Sequence, residues 1–278
     1  MITPDYPLIA ILLSTYNGSK YLEQQINSIL HQKYKNWILY VRDDGSTDQT
    51  MDIIRNFSSV HNNIIFIKDN TKHRGVTDSF MYLLKHASAE YYMFCDQDDY
   101  WLPNKIDTTL NYIKTEYSNV PQLVATDLSL ADKFLQIKHN SMWRECNMMY
   151  KIHNLKLLEV CDYLTGCTML FNDSAKRVIL STYSLIGTEF LHDQIATISV
   201  LSNLGRITTI DQPTILYRQH DNNVIGGRKI NNRILYRIHN FRKIIIRERK
   251  RYRLAHKVFR TNFFRFCQLR IESIFRYE

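Results

Sequence analysis

The chain has 278 residues, 45% hydrophobic and 12% aromatic, with only 8 Gly and 5 Pro; it can bury a core and is not disordered, collagen-like or linker-rich. Its net charge of +9 is unevenly spread: residues 228–278 hold 16 Lys and Arg against 3 Glu (+13), while residues 1–227 hold 20 against 24 acids (−4). No apolar run approaches the roughly 18–20 residues of a membrane-spanning helix, the opening MITPDYP lacks a secretory pattern, and five scattered cysteines without a CxxC pair suit reduced thiols, not a disulfide scaffold or zinc ribbon.

Residues 8–14 are an apolar strand ending in the polar turn Thr15-Tyr16-Asn17-Gly18. Leu22, Ile26, Ile29 and Leu30 share one helical face within 21–32. A second strand, 37–41, ends at Arg42-Asp43-Asp44-Gly45, and Ser46 or Thr47 can cap a helix over 49–57. A strand at 64–68, a helix at 76–86, a strand at 91–95 and a helix at 105–116 follow. Strands alternating with helices predict an α/β fold with a mostly parallel sheet, whose ligands bind at the carboxyl ends of the strands. The polar clusters 15–17, 43–44 and 96–99 all fall there.

Further on, a strand is expected near 123–126, a buried strand over 164–171, helices over 173–181 and 190–204, and short strands at 207–210 and 214–217. Residues 132–160 carry no readable period and suit an acceptor-side insertion. The +13 tail reads as basic amphipathic helices starting near Gly226-Gly227. Ile230, Ile234, Ile238, Phe241 and Ile245 form one stripe, and Tyr252, Ala255, Phe259, Phe263 and Phe266 another. Such a stripe suits an anionic membrane surface better than nucleic acid or the protein's own body.

Asp96-Gln97-Asp98-Asp99 places three carboxylates in four residues, which repel one another without a counter-cation. Hard oxygen donors suit Mg²⁺ or Mn²⁺, which in turn bind diphosphates. Taken alone, the cluster reads first as an acidic loop with capping aspartates; its position at a strand end changes that. Together, residues 9–18 (IAILLSTYNG), 42–48 (RDDGSTD) and 95–101 (CDQDDYW) resemble family 2 inverting glycosyltransferases of the GT-A fold. With YRQH at 217–220 the chain is most similar to bacterial rhamnosyltransferases and related polysaccharide glycosyltransferases, over about residues 7–225.

That resemblance implies a nucleotide pocket lined by Thr15, Tyr16 and Asn17, with Asp43 and Asp44 toward base and ribose, Asp96 reaching the ribose, and Gln97 among the nucleotide-sugar contacts. It implies a divalent cation, Mn²⁺ or Mg²⁺, on Asp98 and His220, with Asp99 behind them or capping. Arg218, Arg74 and Lys105 are phosphate candidates, although Lys105 also reads as a solvated helix lysine. Gly166 permits close backbone approach to a ligand or relieves strand crowding. Ser79 stands where the family often has Asn, which puts one local hydrogen bond in question. Asp193, in Leu191-His192-Asp193, falls where the family places its base, with Glu189 as substitute; by position alone it is also a helix cap. His31, His61, His86 and His153 read as structural.

The expected protein is then a cytoplasmic enzyme, peripheral on the inner membrane face. Residues 1–227 form its catalytic domain and 228–278 its basic tail. Its donor is dTDP-rhamnose first, with UDP-hexoses open, and its acceptor is a lipid-linked glycan. A noncatalytic nucleotide-sugar binder is an alternative that needs no Asp193. A dehydrogenase is excluded because no GxGxxG follows the first strand. A nucleic-acid-binding protein leaves the aspartates unexplained.

Overall fold

The computed structural model describes residues 6–69, 71, 73–113, 117–161, 163–220 and 241–275. These build one nine-stranded mixed sheet flanked by helices. The strands are β1 (Ile9–Thr15), β2 (Trp37–Asp43), β3 (Ile64–Phe66), β4 (Tyr91–Cys95), β5 (Tyr100–Trp101), β6 (Gln122–Ala131), β7 (Ile137–His139), β8 (Met169–Asn172) and β9 (Arg206–Arg218). Their order is β3-β2-β1-β4-β8-β6-β9-β5, with β7 on β6. The first four are mutually parallel, β8 runs antiparallel between β4 and β6, and β9 is parallel to β6.

The parallel half follows from its sequence. Ile9 to Leu13 are fully buried because side chains alternate to two covered faces, so the run shows no polar alternation. Ile9, Ile11 and Leu13 pack with Leu22, Ile26 and Ile29 of α1 (Leu22–Leu30), beside Ile54 of α2 (Thr50–Val60). Ala10 and Leu12 face Phe80, Leu83 and Leu84 of α3 (Val76–His86). Thr15 lies opposite Asp43 and Leu13 opposite Cys95, so the three polar clusters emerge at one edge.

Several elements differ from expectation. The strand foreseen over 164–171 is a 3₁₀ turn, Gly166–Thr168, followed by the short β8. The two short strands at 207–217 are one strand, β9, whose ladder slips beside Pro213; proline has no N–H to donate. Two-residue β5 is too short for any period and exists through Tyr100 and Trp101 pairing with β9. Helix α4 is shorter than expected (Lys105–Leu110), and residues 114–116 lie outside the described set. The unreadable stretch holds β7 and three short helices, α5 (Met142–Glu145), α6 (Met149–His153) and α7 (Leu155–Leu158). Helices α8 (Asp173–Ile186) and α9 (His192–Ser202) follow.

The tail forms α10 (Phe241–Phe259) and α11 (Phe263–Phe275). The expected start at Gly226-Gly227 and Ile230, Ile234 and Ile238 lie outside the described residues. The second stripe does not face outward as a unit. Ala255 and Phe266 are buried with Leu269 against Leu157, Val160 and Cys161. Helix α10 packs on α9, Arg265 pairs with Glu159, and Tyr150 donates to Glu272 at 2.8 Å. This half of the tail is therefore partly spent on the body, the partner the sequence disfavoured, because apolar area on α7 needs covering. No helix among the described residues is long and apolar enough to cross a membrane.

Candidate active site

Two loops meet where β1 and β2 end. The Thr15 hydroxyl donates to Asp43 at 3.0 Å, and the same carboxylate accepts from the N–H groups of Gly45 and Ser46. Asn17 adopts φ 46°, a left-handed conformation that asparagine tolerates, and accepts from the Thr47 N–H at 2.8 Å. The Tyr16 ring is half-exposed above this platform, edge-on to His73. Gln97 faces Tyr16 rather than the open cleft: its amide accepts from the Tyr16 N–H at 2.9 Å and donates to the Tyr16 carbonyl at 3.0 Å. Gly18 makes room for this clamp, since a Cβ there would lie 2.1 Å from Gln97 Oε1.

Beneath the platform lies a charge network that the sequence reading missed. Buried Arg42 donates to Asp44 at 2.9 Å, Asp69 at 2.7 Å, Ser79 at 2.7 Å and the Thr71 carbonyl at 2.7 Å. Asp44 also accepts from the N–H groups of Arg74 and Gly75. Burial would raise the pKa of Asp44, but Arg42 and these N–H groups outweigh it and hold it low. Asp44 therefore turns inward instead of presenting its carboxylate to a ribose. Ser79 keeps a bond at the position in question, accepting from Arg42. The Arg74 side chain pairs with Asp69 at 3.1 Å and lies over Tyr82. An Arg two residues before an acid at a strand end was the only available signal.

At the end of β4 the acidic cluster divides. Asp98 is part-exposed, and its Oδ2 lies 2.9 Å from His220 Nε2. The His220 ring stacks on Tyr21 with centroids 4.9 Å apart. Asp96 and Asp99 lie with Cys167, all three ligand atoms within 4.8 Å of one another. Asp99 is fully buried, with one oxygen accepting from the Arg218 N–H and the other without a hydrogen bond among the described residues. Burial, then Asp98 and Asp96, push its pKa well up. A fully buried acid beside a thiol is a poorer seat for a hard cation than the part-exposed pair Asp98 and His220.

Two basic candidates are placed differently from expectation. The Arg218 guanidinium is buried and donates to Asp98 O, Lys133 O and Gln24 Oε1, at 2.7, 2.8 and 2.8 Å, while lying over Tyr21. It braces β9 to the acidic turn and does not reach for phosphate. Lys105 is fully buried, its Nζ 4.7 Å from the Trp101 ring centroid and without a hydrogen bond among the described residues. Burial brings its pKa down to about 8. It is neither solvated nor in the cleft, because β5 folds Trp101 back over it.

Across the cleft, Asp193 stands in the first turn of α9. It is not the cap residue, which is Leu191. Burial raises its pKa to about 6, against the backbone N–H groups of Gln194 and Gly166 that hold its charged form. Its charge in turn helps raise the pKa of Asp96, after burial and Asp98, so the two acids share one site. The preceding His192 is sandwiched by Phe80 at 4.0 Å and Phe94 at 4.8 Å; burial lowers its pKa to about 3 and keeps it neutral. Glu189 is exposed in the turn Gly187–Glu189. His31 and His86 bond the carbonyls of Asn27 and Tyr82, His61 stacks on Phe57, and His153 pairs with Asp211.

Gly166 lies against this turn. A Cβ on it would lie 2.4 Å from His192 Nε2 and 3.4 Å from Asp193 Cβ. Gly166→Ala should destabilise the protein by about 1–3 kcal/mol through overpacking and reduce transfer by shifting Asp193. Denaturant melts and rates check this. His192→Ala should relieve the clash, so the double variant loses less than the sum; full additivity would place the strain elsewhere.

A mixed sheet of this order, with acids at the end of β4 facing a helix-borne carboxylate, defines a GT-A glycosyltransferase. The chain belongs to glycosyl transferase family 2, whose family model matches residues 10–179. It is 32% identical over 149 residues to the UDP-Glc:alpha-D-GlcNAc-diphosphoundecaprenol beta-1,3-glucosyltransferase WfaP of Escherichia coli, covering 51% of this chain and 57% of that one. To the dTDP-rhamnosyl transferase RfbG of Shigella flexneri it is 27% identical, covering 77% and 74%. The match spans about half the length of several curated relatives. Its fold is similar to the mannosyltransferase PcManGT from Pyrobaculum calidifontis in complex with GDP-Man and Mn²⁺, with TM-score 0.59, 16% identity, and 90% and 65% covered.

Proposed function

We propose that the protein transfers a sugar, with inversion, from a nucleoside-diphosphate donor to a hydroxyl of a lipid-linked glycan during bacterial surface polysaccharide synthesis. The observation that carries this is the meeting of Asp193 with the acidic turn after β4. Asp193 takes the proton of the acceptor hydroxyl as it attacks the anomeric carbon from the face opposite the diphosphate. The platform of Thr15, Tyr16, Asn17 and Asp43 holds the nucleotide, with Asp96 toward the sugar side.

A divalent cation fits Asp98 and His220, a carboxylate and an imidazole 2.9 Å apart at the cleft. This mixed donor set favours Mn²⁺ over Mg²⁺. Bound there, the cation would offset charge on the leaving diphosphate. The donor is dTDP-rhamnose on the first reading, supported by DQDDYW, YRQH and the long match to RfbG. A UDP-hexose is the second, favoured by the higher identity to WfaP over a shorter stretch. A lipid-linked acceptor places the enzyme at the inner membrane face, as a cytoplasmic, peripheral protein.

A thermal-shift screen of dTDP- and UDP-sugars with Mn²⁺ and Mg²⁺ tests this. A donor at about 100 times its dissociation constant should stabilise by about 2.7 kcal/mol. Asp98→Ala should fold normally and lose the metal-dependent part of that shift. A variant that still responds to Mn²⁺ would remove Asp98 from the metal site.

A further inference from the structure

Between α10 and α11 the chain turns a sharp corner. Arg260 adopts φ 54°, and Asn262 caps α11 by accepting from the Arg265 N–H at 2.9 Å. The next two residues lie at the rim of the core that Phe266 and Leu269 enter: Phe263 is edge-on to Tyr252 with centroids 5.5 Å apart, and Phe264 follows it with ring centroids 6.4 Å away. Phe263 is 58% exposed and Phe264 85%. Leaving two adjacent aromatic rings in water is unfavourable, and their helix already has its buried face elsewhere.

The charge that the two helices expose around the corner is basic, with Glu159 of the body beneath it paired to Arg265. Arg253, Lys257, Arg260 and Arg265 are exposed there. Lys257 donates to the Leu185 carbonyl and Arg265 to Glu159. Within 241–275 the acids are Glu248 and Glu272. Glu248 pairs with Arg270 and Arg251, and Glu272 accepts from Tyr150. An exposed aromatic pair with basic residues on the adjoining turns of both helices fits an anionic lipid surface, where rings reach the acyl boundary and cations meet phosphates.

We infer that Phe263 and Phe264 are the membrane-inserting tip of this protein, with exposed Arg253 and Arg260 on anionic headgroups. This rests on the reading that the enzyme works at a membrane face and assigns the contact to one corner instead of the whole amphipathic stripe. Because α10 packs on α9, the same contact ties the helix carrying Asp193 to the anchored corner.

The test uses full-length protein and vesicles of phosphatidylcholine alone or mixed in equal parts with phosphatidylglycerol. Trp37, Trp101 and Trp143 are buried, so a Phe264→Trp variant carries the one reporter at the corner. Its emission should shift to the blue with the anionic vesicles and be quenched by brominated lipid. F263S/F264S should keep its melting temperature and nucleotide-sugar binding and lose vesicle affinity by about tenfold or more. Wild-type sedimentation with unshifted emission from the Phe264→Trp variant would overturn the corner and leave membrane association standing. Absence of wild-type sedimentation would overturn both. A dimer that F263S/F264S breaks, without vesicle binding, would overturn the lipid contact and assign the corner to a second copy.

Discussion

Asp193→Asn should bind donor normally and transfer sugar about 10²–10⁴-fold more slowly, the usual loss of a general base. Asparagine keeps the side chain's size and its acceptor oxygen for the Gln194 N–H, but has no basic site for a proton. Burial has already brought the Asp193 pKa up to about 6. A base is most effective with its pKa near the working pH, so this shift helps catalysis while the group remains ionised at neutrality. The wild-type rate should therefore fall with a one-proton slope as pH drops through about 6. The residual rate of the Asn variant should lack that limb. Near-normal turnover in the variant would transfer the role, with exposed Glu189 next in line. Retained binding without transfer also distinguishes the enzyme from a noncatalytic nucleotide-sugar binder, which would lose nothing.

Arg42→Ala should destabilise the fold by about 3–5 kcal/mol, because it removes the shared buried cation from two buried carboxylates and leaves them only backbone N–H groups and Arg74. The guanidinium is the shared partner of Asp44 and Asp69 and also bonds Ser79 and the Thr71 carbonyl. Both acids have pKa values below the usual carboxylate value despite the opposing effect of burial. A carboxylate with a lowered folded-state pKa gives stability that is present above its unfolded value and lost as pH falls through the folded one. The wild type should thus lose stability below about pH 4, and Arg42→Ala should lose less over the same interval. Denaturant melts at neutral and acid pH check both statements. Equal acid sensitivity in the two proteins would place the pH dependence in other acids.

The parallel half was legible because each strand is a continuous apolar run ended by polar residues. Helix 76–86 was read to the residue, and β4 as well, since their boundaries coincide with a glycine, a turn and an abrupt rise in polarity. The antiparallel half was not. β5 and β8 owe their existence to partners far away in sequence, and short apolar runs do not distinguish a turn from a strand. At the site, sequence located the acids but not their direction. Asp43 and Asp44 are neighbours, yet alternation along β2 sends one to the platform and the other to Arg42. Arg218 and Lys105 were legible as cations; only the packing of Trp101, Tyr21 and Gln24 around them shows that neither reaches the cleft.

The packing of the tail on α7 also bears on how the molecule is made. Leu157, Val160 and Cys161 are covered by Ala255, Phe266 and Leu269, which the ribosome adds long after the sheet's last strand. Domains fold as they emerge, from the N-terminal side. The nascent body therefore displays an uncovered apolar patch, next to the helix that bears Asp193, until the later helices arrive. Transiently exposed apolar surface of this kind is what makes incomplete chains prone to aggregate, so a chain ending between the two segments should be stickier than the full-length protein.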